Sequence, residues 1–214
     1  MHSFRFLSSL GRALVAAALL AACLPAAATR TVLVFGDSLS AAYGLRPDQG
    51  WVSLLAERIR KEGLDWRVVN ASVSGETTAG GLRRLPEDLK RHKPDLVVIA
   101  LGANDALRGQ PVEGIKSNLE HMIRLSRDAR SQPVLVGLMI PPNYGIEYAA
   151  RFRDAFPESA KKAKVPLVPF LLEGIGDKME MFQPDQLHPT AAAQPLVLDN
   201  VWRVVGPLLR KRAS

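Results

Sequence analysis

The stretch VLVFGDSLSAAYG, residues 32–44, runs an apolar segment straight into a tight polar turn. Val32, Leu33, Val34 and Phe35 are followed at once by Gly36, Asp37 and Ser38. An uninterrupted apolar run of this length is the mark of a strand covered on both faces, as in a parallel sheet. Ser38 is then delivered at the strand's carboxyl end. A serine there either caps the next helix or serves as a nucleophile.

The rest of the chain repeats the pattern. Apolar runs at 31–35, 66–70, 95–101, 133–139 and 165–170 read as five strands. Between and after them, amphipathic segments at about 50–62, 77–92, 112–130, 145–163 and 190–211 read as helices. In the first of these, Trp51, Leu54, Leu55, Arg58 and Ile59 fall on one face at helical spacing. Strand–helix alternation predicts an α/β domain, with a parallel sheet between two layers of helices. Ligands bind such sheets at the carboxyl ends of the strands, near the point where strand order reverses. What gathers beside Ser38 therefore decides its role.

At 214 residues, with no linker, repeat or compositional break after the first thirty, the chain has room for one well-cored domain. Residues 1–28 differ from the rest: Arg5 and Arg12 precede an uncharged run from Ala13 to Ala28 that ends in Ala26-Ala27-Ala28. A positive start, an apolar middle and a small-residue end predict a secretory signal, leaving residues 29–214 as the mature domain. The run is short for a membrane span, which takes about 20 residues. The expected location is periplasmic or secreted, in a bacterium. Leu20-Ala21-Ala22-Cys23 also resembles a lipobox, so lipid anchoring through Cys23 is the alternative. With ordinary cleavage the mature chain holds no cysteine, and disulfides play no part in its fold.

The net charge is +7, and Arg5 and Arg12 leave with the signal. The remaining basic residues are mixed with acids, as in ERIRKEG and RRLPEDLKRHK, without a dense tract or interleaved aromatics. Solvated helix faces explain that mixture, and no nucleic-acid partner is expected. Nothing in the sequence demands more than a monomer.

Three further segments end at the same edge of the sheet. NASVSGETTAGGL follows the second strand, and its Gly75 opens a polar turn into a helix, where backbone N–H groups lack partners. LGANDALRG follows the third strand and places Asn104, an amide donor, after Gly102. Taken singly, both read as ordinary turns. QPDQLHPTAAAQP precedes the last helix, with Asp185 and His188 three residues apart. Of the four histidines, His2 leaves with the signal, and His92 and His121 lie in polar helical surroundings. His188 is the candidate base.

Together these fragments supply the parts of an acyl-transfer site. Ser38 would attack a carbonyl, His188 would carry the proton, and Asp185 would orient the imidazole. The backbone N–H groups of Ser38 and Gly75 and the amide of Asn104 would receive the oxyanion. Asp37 is expected to fix its turn through backbone hydrogen bonds, and Asp105 to be a helix-start or loop residue. Neither is assigned chemistry.

GDSLS, the Gly75 turn, GAND and DQLHP resemble, in order, the four sequence blocks of the SGNH (GDSL) hydrolases. The resemblance runs from Thr31 to about Leu209 and is nearest to the thioesterase, lysophospholipase and arylesterase group of that family. It implies a flavodoxin-like three-layer α/β/α sandwich with a Ser-His-Asp triad. It also implies that neither metal nor cofactor is needed. Ser38, Gly75, Asn104, Asp185 and His188 match the family's blocks at all five positions.

The expected substrates are small acyl esters, thioesters or lysophospholipids. Leu107, Ile140, Pro141 and Tyr144 are candidates for binding the acyl chain, beside Met139. Two alternatives stay open. One is a carbohydrate O-acetyl esterase with the same catalytic parts. The other is a non-catalytic periplasmic module that binds a small anion in its glycine-rich turns.

Overall fold

The computed structural model describes residues 29–211, so the signal, its cleavage point and Cys23 lie outside the described residues. Five strands form one parallel sheet: β1 (Arg30–Gly36), β2 (Trp66–Asn70), β3 (Leu96–Ala100), β4 (Gln132–Val136) and β5 (Leu167–Val168). Their order is β2-β1-β3-β4-β5, and every neighbouring pair is parallel. Strand order thus reverses at β1, which pairs with β2 on one side and β3 on the other.

The helices are α1 (Trp51–Lys61), α2 (Thr78–His92), α3 (Ala103–Leu107), α4 (Val112–Asp128), α5 (Ile146–Ala163) and α6 (Gln194–Lys211). Helix α1 packs against α6, whereas α2 packs against α4 and α4 against α5. Two helical groups with the sheet between them make the three-layer sandwich. Val32 to Phe35 and Leu96 to Ile99 are wholly buried, which is why β1 and β3 read as unbroken apolar runs. Burial of each such side chain contributes about 1.5–3 kcal/mol.

Several boundaries differ from the sequence reading. The fifth strand, expected over 165–170, is only the two residues Leu167–Val168. Pro166 and Pro169 flank them and lack the N–H that a longer ladder needs, so the edge strand is cut short. The fourth ends at Val136, leaving Met139 in the following loop. Residues 103–107, ANDAL, read as a turn in the sequence but form the five-residue helix α3. The last helix begins at Gln194, after a separate 3-10 turn at Ala191–Ala193. In α1, Trp51, Leu55 and Ile59 are buried as expected, while Arg58 points outward to Asp199 at 2.6 Å.

Candidate active site

Ser38 sits just beyond β1 in a turn held from several directions. The Leu39 N–H donates to Asp37 Oδ1 at 3.0 Å, and the Ala41 N–H donates to the Asp37 carbonyl at 2.9 Å. The Trp51 indole N–H donates to the Leu39 carbonyl at 3.1 Å, and the Asn70 amide donates to the Ser40 carbonyl at 2.8 Å. The turn is therefore tied to α1 and β2 as well as to its own strand.

The segment carrying His188 is a closed loop. Phe182 bridges Pro189, the Gln183 N–H donates to the His188 carbonyl at 2.7 Å, and Gln186 takes a left-handed conformation at the tip. The Gln183 side-chain amide donates to the carbonyls of Tyr43 (2.9 Å) and Pro189 (3.2 Å). It thereby fastens the serine loop to the histidine loop. The Tyr43 ring lies against the imidazole with centroids 4.5 Å apart.

Across this junction His188 Nε2 is 2.8 Å from Ser38 Oγ, and His188 Nδ1 is 2.7 Å from Asp185 Oδ2. The other Asp185 oxygen accepts the N–H groups of Leu187 (3.0 Å) and His188 (3.1 Å). Desolvation pushes the Asp185 carboxyl upward. The two N–H donors and the imidazole outweigh it and hold the pKa at about 2. An ionised Asp185 favours the tautomer with hydrogen on Nδ1, leaving Nε2 free to accept the Ser38 hydroxyl proton.

Gly75 and Asn104 arrive from the loops after β2 and β3. Gly75 has φ +79°, in the left-handed region where a side chain would be strained. Gly102 has φ +127° immediately before α3, which carries Asn104. Asn104 Nδ2 donates to Asp37 Oδ2 at 3.4 Å, at the long end of hydrogen-bonding range. Arg108 Nη2 donates to the Gly75 carbonyl at 3.3 Å.

A cleft of about 570 Å³ includes Gln186 and Leu187, the two residues before His188, in its lining, whereas Ser38, Gly75, Asn104, Asp185 and His188 do not line it. Phe182, Met139, Ile140, Pro141 and Phe170 give the lining an apolar part, and Glu173 and Asp177 add two acids. Ile140 and Pro141 thus line it, while Leu107 and Tyr144 lie outside its lining. Leu107 is half-buried against the core, and Tyr144 is exposed on the Pro142–Tyr144 turn. Among the described residues no group of three or more His, Cys, Asp or Glu is placed to hold a metal ion.

Residues 34–195 match the GDSL-like Lipase/Acylhydrolase family. The chain belongs to that family. It is 50% identical to Esterase TesA of Pseudomonas aeruginosa, over 86% of this chain and 91% of that protein. It is 46% identical to an arylesterase of Vibrio mimicus, over 84% and 90%. It is 38% identical to thioesterase 1/protease 1/lysophospholipase L1 of Escherichia coli K12, over 86% and 87%. Among solved structures, TesA superposes with a TM-score of 0.82 at 50% identity, covering 84% of this chain and 99% of that one. The psychrotrophic esterase EstA from Pseudoalteromonas, inhibited by monoethylphosphonate, gives 0.81 at 40% identity, covering 85% and 99%. The chain is thus a hydrolase of the GDSL family, with the α/β/α fold that the sequence pattern implied.

Two features of the site had no clear signal in the sequence. Gln183 stands in a polar loop, and nothing in its spacing marks it as the fastener of two distant segments. Asp37 fixes its turn as the sequence implies, but nothing in the sequence marks its burial: it is 1% exposed. Burial raises its pKa to about 6, against the lowering effects of the Leu39 N–H, the charge of His188 and the Asn104 amide. An unfolded aspartate titrates near 4, so the folded state holds the Asp37 proton more tightly and is favoured below that pH. That advantage disappears as pH rises through about 6. Relative to Asp37→Asn, the parent should lose about 2 kcal/mol of unfolding free energy between pH 4 and 7. Urea titrations of both proteins at the two pH values measure it, and parallel pH profiles would contradict it.

Proposed function

We propose that this hydrolase is a serine esterase that cleaves acyl esters and thioesters through an acyl-enzyme on Ser38. One observation carries the reading: a single imidazole lies 2.8 Å from the Ser38 hydroxyl and 2.7 Å from the Asp185 carboxylate. Ser38 Oγ attacks the substrate carbonyl carbon while His188 Nε2 takes its proton. The carbonyl electron pair moves onto oxygen, and the N–H groups of Ser38 and Gly75 and the amide of Asn104 receive that oxyanion. The intermediate then collapses and expels the alcohol or thiol, which leaves with the proton from His188. Water attacks the acyl-enzyme with His188 again as base, releasing the carboxylic acid and restoring Ser38. Asp185, held at a pKa of about 2, stays ionised through this cycle and stabilises the imidazolium.

The cleft favours an acyl chain longer than acetyl. Its wall of Leu187, Phe182, Ile140, Pro141 and Phe170 offers apolar contact, and each methylene buried contributes about 0.8 kcal/mol. That apolar part supports an acyl-chain substrate over a carbohydrate acetyl ester, although Gln186, Glu173 and Asp177 also line the cleft. The relatives named esterase, arylesterase and thioesterase/lysophospholipase support the same range of substrates. Export follows from residues 1–28, with action in the periplasm or outside the cell, as a monomer. Cys23 keeps lipid anchoring as its alternative. Among the described residues no helix is long and apolar enough to cross a membrane.

Ser38→Ala should abolish hydrolysis of p-nitrophenyl esters of every chain length. Asn104→Ala should retain a reactive serine but lower kcat by about 10²–10³. An Asn104→Ala protein as active as the parent would remove Asn104 from the oxyanion site.

Gly176 supplies a test of the cleft. It lines the wall, its backbone does not require glycine, and an added Cβ would meet the Phe170 ring at 3.3 Å. Gly176→Leu should leave acetyl and butyryl esters unaffected and cut kcat/KM for decanoyl and dodecanoyl esters roughly tenfold or more. An unchanged chain-length profile would place the acyl chain elsewhere.

A further inference from the structure

The oxyanion reading draws Gly75 and Asn104 from two different loops, so something must hold those loops at a fixed separation. The residue after Asn104 is Asp105, a carboxylate only 4% exposed that takes no part in the proposed chemistry. Such a group is costly to bury unless its oxygens are hydrogen-bonded. Both are. Asp105 Oδ2 accepts the Thr78 N–H at 2.8 Å, and Asp105 Oδ1 accepts the Thr78 hydroxyl at 2.6 Å. The hydroxyl's direction is fixed from the other side, because Asn118 Nδ2 of α4 donates to Thr78 Oγ1 at 3.0 Å. With that oxygen accepting from Asn118, its own hydrogen is aimed at Asp105.

Thr78 is the first residue of α2, three beyond Gly75, and its N–H has no partner within the helix. Thr77, the residue before it, caps α2 by accepting the Gly80 N–H at 3.1 Å. Asp105 thus places a negative charge at the start of a fifteen-residue helix, where the helix dipole favours it. The same segment reaches back a second time, through the Arg108 hydrogen bond to the Gly75 carbonyl at 3.3 Å. The turn from Gly75 to Thr78 is consequently held at both ends by residues flanking or within α3, the helix that carries Asn104.

We infer that Asp105 is a positioning residue for the oxyanion hole: through Thr78 it locks the Gly75 turn to the helix bearing Asn104. The inference rests on the oxyanion reading of Ser38, Gly75 and Asn104. Its physical basis is that oxyanion donors act only when preorganised, and a misplacement of about 1 Å can cost about 10²-fold in rate. Asp105 itself touches no reacting atom.

Thr78→Val tests this with little change of volume, since it removes the hydroxyl while the N–H to Asp105 remains. In the full-length mature protein, with active sites counted by covalent phosphonate labelling, Thr78→Val should lower kcat per site about 10- to 100-fold. KM for p-nitrophenyl butyrate should be little changed, and Thr78→Ser should restore the parent rate. Asp105→Asn, which keeps only one acceptor oxygen, should act in the same direction. Combined with Asn104→Ala, Thr78→Val should add less than its separate effect, since both disturb the same donors. A Thr78→Val protein with a lowered Tm but the parent's kcat per labelled site would reduce Asp105 to a structural role and overturn the inference. Independent, multiplicative losses in the double variant would also overturn it. If Asn104→Ala alone left kcat untouched, the oxyanion reading itself would fail instead.

Discussion

The central constraint is the placement of β1 between β2 and β3, with all three strands parallel. Parallel pairing sends every strand's carboxyl end to one edge, and the reversal of order at β1 parts the loops that follow β2 and β3. Ser38 leaves β1 directly into that opening. Gly75 follows β2 and Asn104 follows β3, so both belong to segments at the edge where Ser38 leaves β1. His188 is the exception. It is 150 residues from Ser38 and is brought back by a loop rather than by a strand end.

That return needs its own supports, and the polar contacts around the site supply them. Gln183 joins the Tyr43 carbonyl to the Pro189 carbonyl, and the Gln183 N–H closes the loop on the His188 carbonyl. Of the buried carboxylates among the described residues, Asp37 sits immediately before Ser38 and Asp105 immediately after Asn104. Asp37 faces the Leu39 N–H and the Asn104 amide, and Asp105 faces Thr78. Each acid thus links the segment it stands in to a neighbouring one. A site assembled from loops becomes rigid through such links, because loop backbone lacks the ladder of hydrogen bonds that fixes a strand.

Much of this was legible in the sequence, for identifiable reasons. The unbroken apolar runs of β1 and β3 reflect complete burial, and burial is what apolar patterning reports. The Ser38, Gly75, Asn104 and Asp185/His188 segments stood out because reactive or turn-forming residues followed strands or preceded a helix. The fifth strand was overestimated because Val165, Leu167, Val168 and Phe170 look like a strand, while Pro166 and Pro169 deny it a ladder. Helix α3 was missed because ANDAL, in a Gly-Asn-Asp setting, reads equally as a turn. Asp105 does stand in the first turn of a helix, as its setting implies, but the partners of Gln183 and Asp105 could not be read. Each depends on a partner in another loop, Tyr43 for one and Thr78 for the other, and hydrophobic periodicity carries no information about such pairs.

The proposed catalytic geometry is tested most directly by a crystal structure of the mature protein after reaction with a short alkyl phosphonate. The account predicts phosphorus bonded to Ser38 Oγ, with one phosphonyl oxygen within hydrogen-bonding distance of the Ser38 N–H, the Gly75 N–H and Asn104 Nδ2. The alkyl group should lie toward Leu187 and Ile140. Phosphorus on any other residue, or a Ser38 adduct whose oxygen faces away from Gly75 and Asn104, would contradict it.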